Sequence, residues 1–176
     1  MALVLLYRRA RYGYAFRRIP LTQGKYAIVD PEDFERLNKY KWHVVRGAKT
    51  YYASRNSRIG NKRIAIKMHR EILNPPAPLV VDHINHKGYD NRRANLRPAT
   101  RAQNAVNKSI QTTSSGSSKY RGVSWHKNRQ KWQAYIGVNY KQIIIGYYDN
   151  EIKAAKAYDK EAKKHHGEFG VLNFPK

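Results

Sequence analysis

Between Val80 and Asn104 the chain collects residue types that do chemistry together. Asp82 and His83 close a short apolar run, and Asn95 and Asn104 follow at intervals. An imidazole exchanges protons near neutral pH. A carboxylate and carboxamide oxygens are hard donors of the kind that Mg²⁺ accepts alongside its waters. Several elements must position these groups. The apolar run Val80-Val81 reads as a strand, and the eleven residues Ile84 to Ala94, rich in Asn, Asp and Gly, read as a loop. Leu96-Arg97 starts a second short strand. Thr100 and Gln103 fit a capping box that opens a helix with Asn104 in its first turn or so. The order is strand, loop, strand, helix.

This arrangement, V-V-D-H-I-N-H-K-G-Y-D-N-R-R-A-N-L-R-P-A-T-R-A-Q-N, resembles the HNH endonucleases of phage and intron homing type, whose ββα-metal site sits on such a unit. The resemblance implies His83 as general base, Asn95 as the middle residue that orients His83 or its loop, and Asp82 and Asn104 as metal ligands. The last motif position is Asn where many members have His, which points away from zinc or nickel chemistry. Hydrolysis of a phosphodiester needs a base at neutral pH and a cation that polarises the phosphoryl group. Mg²⁺ is the ion expected, with Mn²⁺ as the alternative and no zinc. The resemblance extends upstream, through I-P-L-T-x-G at Ile19 to Gly24 and M-H-R-x-I-L at Met68 to Leu73.

The amino-terminal region reads as β-rich. Two strands flank the Gly24 turn between Ile19 and Asp30, and Asp30 is placed to cap a helical turn from Pro31. Trp42–Val45, Tyr51–Ala53 and Arg63–Ile66 are further strands, and a short helix at His69–Leu73 stops at Asn74-Pro75-Pro76. Trp42 reads as core. His69 reads as a packed structural histidine or a further polar group near the site. Arg8-Arg9-Ala10-Arg11 and Arg17-Arg18 suggest a flexible basic arm. Arg55, Arg58, Lys62, Arg63 and Lys67 are placed either to track phosphates or to lie on a solvated face.

Ser109 to Ser118 is mostly Ser and Thr and reads as a flexible linker. Beyond it come three strands, from Tyr120, Lys131 and Lys141, and a helix from Glu151 to His165 with Ile152, Ala155, Tyr158 and Ala162 at helical spacing. The residues Y-R-G-V, K-W-Q-A-Y-I, I-G-Y-Y-D, E-x-x-A-A-x-A-Y-D and L-N-F-P resemble the plant ethylene-response-factor (Apetala-type) DNA-binding domain from Lys119 to Pro175. That resemblance implies a sheet face laid in the major groove. By position Arg121, Ser124, Trp125, Lys127, Arg129, Trp132, Tyr135 and Lys141 are the DNA-contact candidates. Trp132 either packs within the sheet or meets DNA, and Tyr147 and Tyr158 read as core. Tyr135 and Gly137 stand where plant members have Glu and Arg, so their target sequence does not carry over.

The fold class expected is α+β. Residues 1–108 form a β-rich region with the HNH core at about 68–108, residues 109–118 the linker, and residues 119–176 the second module. Lys and Arg number 35 against 12 Asp and Glu, a formal charge of +23. Such an excess needs a polyanion, and double-stranded DNA is the partner expected. No long apolar segment supports a membrane reading. The absence of cysteine excludes disulfides and Cys-based zinc knuckles. The opening residues do not read as an export signal, and a cytoplasmic setting in a bacterial or phage-infected cell is expected. The function expected is a metal-dependent DNA endonuclease that nicks as a monomer, with a dimer left open. The rivals are a DNA-binding regulator with a lapsed site and an RNA-binding protein.

Overall fold

The computed structural model describes residues 2–47, 50–107, 117–139 and 141–175. The fold is α+β, with several small antiparallel sheets and few helices. The chain divides into two compact units, residues 1–100 and 101–176. The linker expected at 109–118 lies outside the described residues except for Ser117 and Ser118.

In the first unit, α1 (Ala2–Tyr12) precedes the hairpin β1 (Arg17–Pro20) and β2 (Tyr26–Val29), which turns at Gly24. The basic arm is therefore not an arm: residues 2–12 are helical, with Leu3, Leu6, Tyr7 and Ala10 on the exposed side. Arg17 stacks its guanidinium 3.7 Å from the centre of the Phe34 ring, and Arg18 lies 4.2 Å from that of Tyr26. Next come α2 (Pro31–Leu37), β3 (His43–Arg46), β4 (Tyr51–Ile59) and β5 (Lys62–Lys67), the last three forming one sheet in chain order. Asp30 precedes α2 without a side-chain capping bond, because its Oδ2 accepts from Arg93 N at 2.6 Å. Then come α3 (Met68–Leu73), ended by Asn74 in the left-handed conformation, and the antiparallel pair β6 (Val80–His83) and β7 (Leu96–Ala99).

One apolar core joins these pieces. Ile19, Ala27, Val29, Leu37, Trp42, Ala53, Met68, Ile72, Val81 and Leu96 are buried together. The site hairpin is thus seated on the β1–β2 layer and on α3. Arg55 does not face solvent. Its Nε donates to Glu71 at 2.9 Å and its guanidinium covers the Tyr40 ring.

The second unit contains α4 (Arg101–Val106), β8 (Val123–His126), β9 (Lys131–Val138), β10 (Lys141–Tyr148) and α5 (Glu151–His166). Strand order is β10-β9-β8, all antiparallel. Asn150 caps α5 by accepting from Ile152 N and Lys153 N. The helix buries Ala154, Ala155, Tyr158 and Ala162 against Val123, Ala134 and Ile136. Ile152, expected on that face, is 44% exposed, and Ala154 takes its place. Gly122 has φ +69, and a Cβ there would run into the Tyr158 ring. Among the described residues no helix is long and apolar enough to cross a membrane.

Candidate functional site

The end of β6 delivers Asp82 and His83 side by side, both buried. Asp82 is anchored across the hairpin by its β7 partner Arg97. Arg97 Nε donates to Asp82 Oδ2 at 2.9 Å, and Nη2 lies 2.9 Å from the same oxygen. The His83 ring meets two other rings: His69 from α3 at 5.0 Å between centres, nearly perpendicular, and Tyr52 from β4 at 5.7 Å. His69 is buried, and its ring packs against that of the proposed base. Among the described residues, neither His69 Nδ1 nor Asn91 Nδ2, both buried, has a hydrogen-bond partner.

Three asparagines share the loop after His83, and the fold gives each a different task. Asn91 is fully buried, and its Oδ1 lies 3.4 Å from His83 Nε2. An amide oxygen only accepts, so this contact is a hydrogen bond when His83 carries its proton on Nε2. Asn95 is engaged with the loop itself. Its Oδ1 accepts from Asn85 N at 3.0 Å and its Nδ2 donates to Asp90 O at 2.7 Å. Asn85 Nδ2 in turn donates to Asp90 Oδ2. Of the two roles open to Asn95, the geometry displays the bracing of the loop. Asn91 is the residue that sequence reasoning missed.

Asn91 is held by the amino-terminal hairpin. Its N–H donates to Ile28 O at 2.8 Å, and Ile28 N donates to Tyr89 O at 2.9 Å, so β2 grips the loop as a strand would. Two arginine forks fix the rest: Arg92 on Asp90 and Arg93 on Asp33, each through two nitrogen–oxygen contacts of 2.7–2.9 Å. Gly88 passes so close to Tyr51 O and the Tyr52 ring that any Cβ would clash. Asn104 lies on α4, half-buried, in the second unit; Asp82, His83 and Asn95 lie in the first.

Burial is the largest influence on both histidines. It pushes His69 down to about 3, with the neighbouring His83 adding to the effect. It also lowers His83, against upward pulls from the Asn91 hydrogen bond and from Asp82 and Asp90. At neutral pH His83 is therefore an unprotonated base. Burial alone would raise Asp33 and Asp90, but hydrogen bonds from Arg93 and Arg36 to the first, and from Arg92 to the second, hold both below the usual carboxylate range. Stability should follow. The unfolded chain takes up a proton at His69 near pH 6.5, the folded chain only near 3, so the unfolded state binds more protons between these values. This contribution is complete above pH 6.5 and declines as the pH falls, by up to about 1.4 kcal/mol per pH unit. Urea midpoints measured from pH 7 to pH 4.5 should drop, and His69→Phe should flatten the decline.

Among the described residues no three His, Cys, Asp or Glu side chains converge as a metal cage. The Asp82 carboxylate is a hard oxygen donor of the kind that divalent cations accept.

In the second unit, strand alternation sorts the DNA-contact candidates. Trp132 shares the helix-covered side with Ala134, and its register partner Trp125 meets it edge-on at 5.1 Å. Both tryptophans therefore leave the exposed sheet face. Ser124 and Tyr135 remain on that face, joined by His126, Gln133 and Tyr147. Tyr147, expected in the core, instead stacks edge-on with His126 at 5.2 Å and lies under the Arg129 guanidinium at 4.5 Å. Tyr158 is in the core at 3% exposure. Lys127, Arg129 and Lys141 are exposed. Arg121 is half-buried and its Nη2 donates to Val106 O at 3.0 Å, closing the end of α4.

Two family patterns match the chain. The HNH endonuclease family pattern matches residues 74–106, and the AP2 domain pattern matches residues 118–168. An uncharacterized HNH endonuclease of Acanthamoeba polyphaga mimivirus is 30% identical over 153 residues, which cover 86% of this chain and 76% of that protein. APETALA2-like protein 2 of Oryza sativa subsp. indica is 44% identical over 61 residues, covering 34% of this chain and 14% of the rice protein. An AP2-like ethylene-responsive transcription factor of Arabidopsis thaliana, TOE2, is 38% identical over 69 residues, again 14% of its own length. The chain belongs to the HNH endonuclease family. It is a nuclease that carries an AP2-type DNA-binding domain in its carboxy-terminal half.

Proposed function

We propose that this nuclease hydrolyses one phosphodiester of duplex DNA per site, using Mg²⁺, and that a single chain leaves a nick. The observation that carries the reading is the buried Asp82–His83 pair at the end of β6, with the Asn91 amide oxygen 3.4 Å from His83 Nε2. His83 Nδ1 takes the proton from water as it attacks phosphorus in line. Asn91 holds the ring, and Asn95 holds the loop that carries Asn91. Asp82 and, from the motif, Asn104 would be the oxygen donors for a bound divalent ion. When bound, the ion supplies positive charge to the phosphoryl and departing 3′ oxygens. Cleavage is expected to leave 5′-phosphate and 3′-hydroxyl ends.

The AP2-type unit anchors the duplex through the sheet face that bears Ser124, His126, Gln133 and Tyr135, flanked by Lys127, Arg129 and Lys141. A homing role in a phage or bacterial setting, with residues 109–118 as linker between the two modules, fits the same motifs. The test is nicking of supercoiled plasmid with Mg²⁺, with Mn²⁺ and with chelator. Metal-dependent nicking supports the reading. Binding without cleavage under any metal would assign the protein to DNA-binding regulation instead.

Separating the two asparagines refines the test. Asn91→Ala should lower the nicking rate about 10–100-fold, the usual effect of losing a group that orients a reacting ligand. Asn95→Ala should act mainly through loop order, visible as a lower melting temperature. Equal rates for Asn91→Ala and the parent would remove Asn91 from the mechanism.

A further inference from the structure

The helix α5 has a second charged surface that the nuclease reading leaves unused. Lys153, Lys156, Lys160, Lys163 and Lys164 are all exposed. At 3.6 residues per turn they fall on the side of α5 opposite Ala154, Ala155, Tyr158 and Ala162, which pack on the sheet. The line faces away from the sheet surface assigned to DNA.

Among the described residues, Lys164 is the one lysine of this line that has an ion pair. Glu161 pairs with Lys164 at 3.9 Å and with His165 at 3.2 Å. Lys153, Lys156, Lys160 and Lys163 form no ion pair among the described residues. Asp159 borders the same shallow groove with Phe174, but its carboxylate accepts from Asn173 N, Asn173 Nδ2 and Phe174 N. Like charges three and four residues apart oppose helix formation. Lys153 also sits in the first turn, where the helix dipole disfavours a cation. An external polyanion would relieve such an arrangement.

We propose that the outer face of α5 is a second phosphate-binding surface, which holds the backbone of another duplex DNA segment while the sheet face holds the first. The proposal rests on the sheet-face reading given above. From Lys153 to Lys164 the line extends about 16 Å, against one phosphate charge per roughly 1.7 Å of duplex, so it spans about five base pairs. Its linear form suits a phosphate backbone. A bilayer would need a broad apolar helix face, and the apolar face of α5 is covered by the sheet.

The experiment uses the full chain in chelator, which prevents cleavage. A first duplex is immobilised and saturated with protein, and capture of a second, labelled duplex is measured. Lys156→Gln/Lys160→Gln/Lys163→Gln should lower second-duplex capture about tenfold and reduce its salt slope by roughly 0.9 per lost phosphate contact. First-duplex affinity should stay within about twofold. Lys25→Gln/Lys39→Gln/Lys41→Gln, which removes the same net charge elsewhere, should change neither. Circular dichroism checks that α5 is intact in each variant. The proposal is overturned if the parent captures no second duplex, if the α5 variant captures it normally, or if both affinities fall together. It is likewise overturned if the control variant loses as much, or if single-stranded RNA or anionic vesicles displace the second duplex preferentially. A parent that fails to bind even the first duplex removes the sheet-face reading itself, a result distinct from loss of the second duplex alone.

Discussion

Replacing His83 by alanine is expected to lower plasmid nicking by about 10²–10⁴-fold, the range that a positioned proton-transfer group contributes. Duplex binding should survive, because the contact surface assigned to the AP2-type unit is untouched. The geometry makes the prediction specific. His83 is buried at 6% exposure, its ring is set by Asn91, and burial keeps it unprotonated at neutral pH. Its loss leaves a space between His69 and Tyr52. The measurement is conversion of supercoiled to open-circular plasmid, with binding followed by fluorescence anisotropy on the same preparations. Nicking at the parental rate by His83→Ala would refute the assignment.

A second large effect is expected at Asp82, and here stability and activity should separate. Asp82→Ala takes away the carboxylate that faces the Arg97 guanidinium, in a pair whose side chains are only 5% and 10% exposed. Removing one partner of a buried pair typically costs about 3 kcal/mol or somewhat more. Nicking should vanish as well, since the same carboxylate is the proposed oxygen donor for the ion. The double variant Asp82→Leu/Arg97→Met discriminates between these roles. Apolar replacement of a buried pair is often neutral, so urea melts of the double variant should recover most of the lost stability. Activity should not return. A double variant that regained both would show Asp82 to be a structural residue only.

Much of this was legible in the chain before folding. The strand–loop–strand–helix order and the Asp82–His83 pair followed from apolar runs, turn residues and motif. The choice among asparagines did not. Asn85, Asn91 and Asn95 are equally at home in a turn, and only the grip of β2 on the loop brings the Asn91 amide to the imidazole. Trp132 could have been assigned by parity, because W-x-A-x-I places it with Ala134 and Ile136. Tyr147 could not. Simple alternation groups it with Ile143 and Ile145, but the bulge between Ile144 and Gly146 shifts the register and turns it outward. The helical spacing of Leu3, Leu6, Tyr7 and Ala10 was present in the opening residues, but the arginines among them drew the reading toward an arm.

The hold of β2 on the loop bears on how this nuclease can be engineered. The HNH pattern begins only at residue 74, which invites treating that stretch as a portable cassette. Yet Asn91 and Tyr89 are clamped by Ile28, and Arg93 is received by Asp30 and Asp33. A graft that leaves the first thirty-odd residues behind transfers the catalytic letters without the frame that spells them, and a working transplant has to begin upstream of β1.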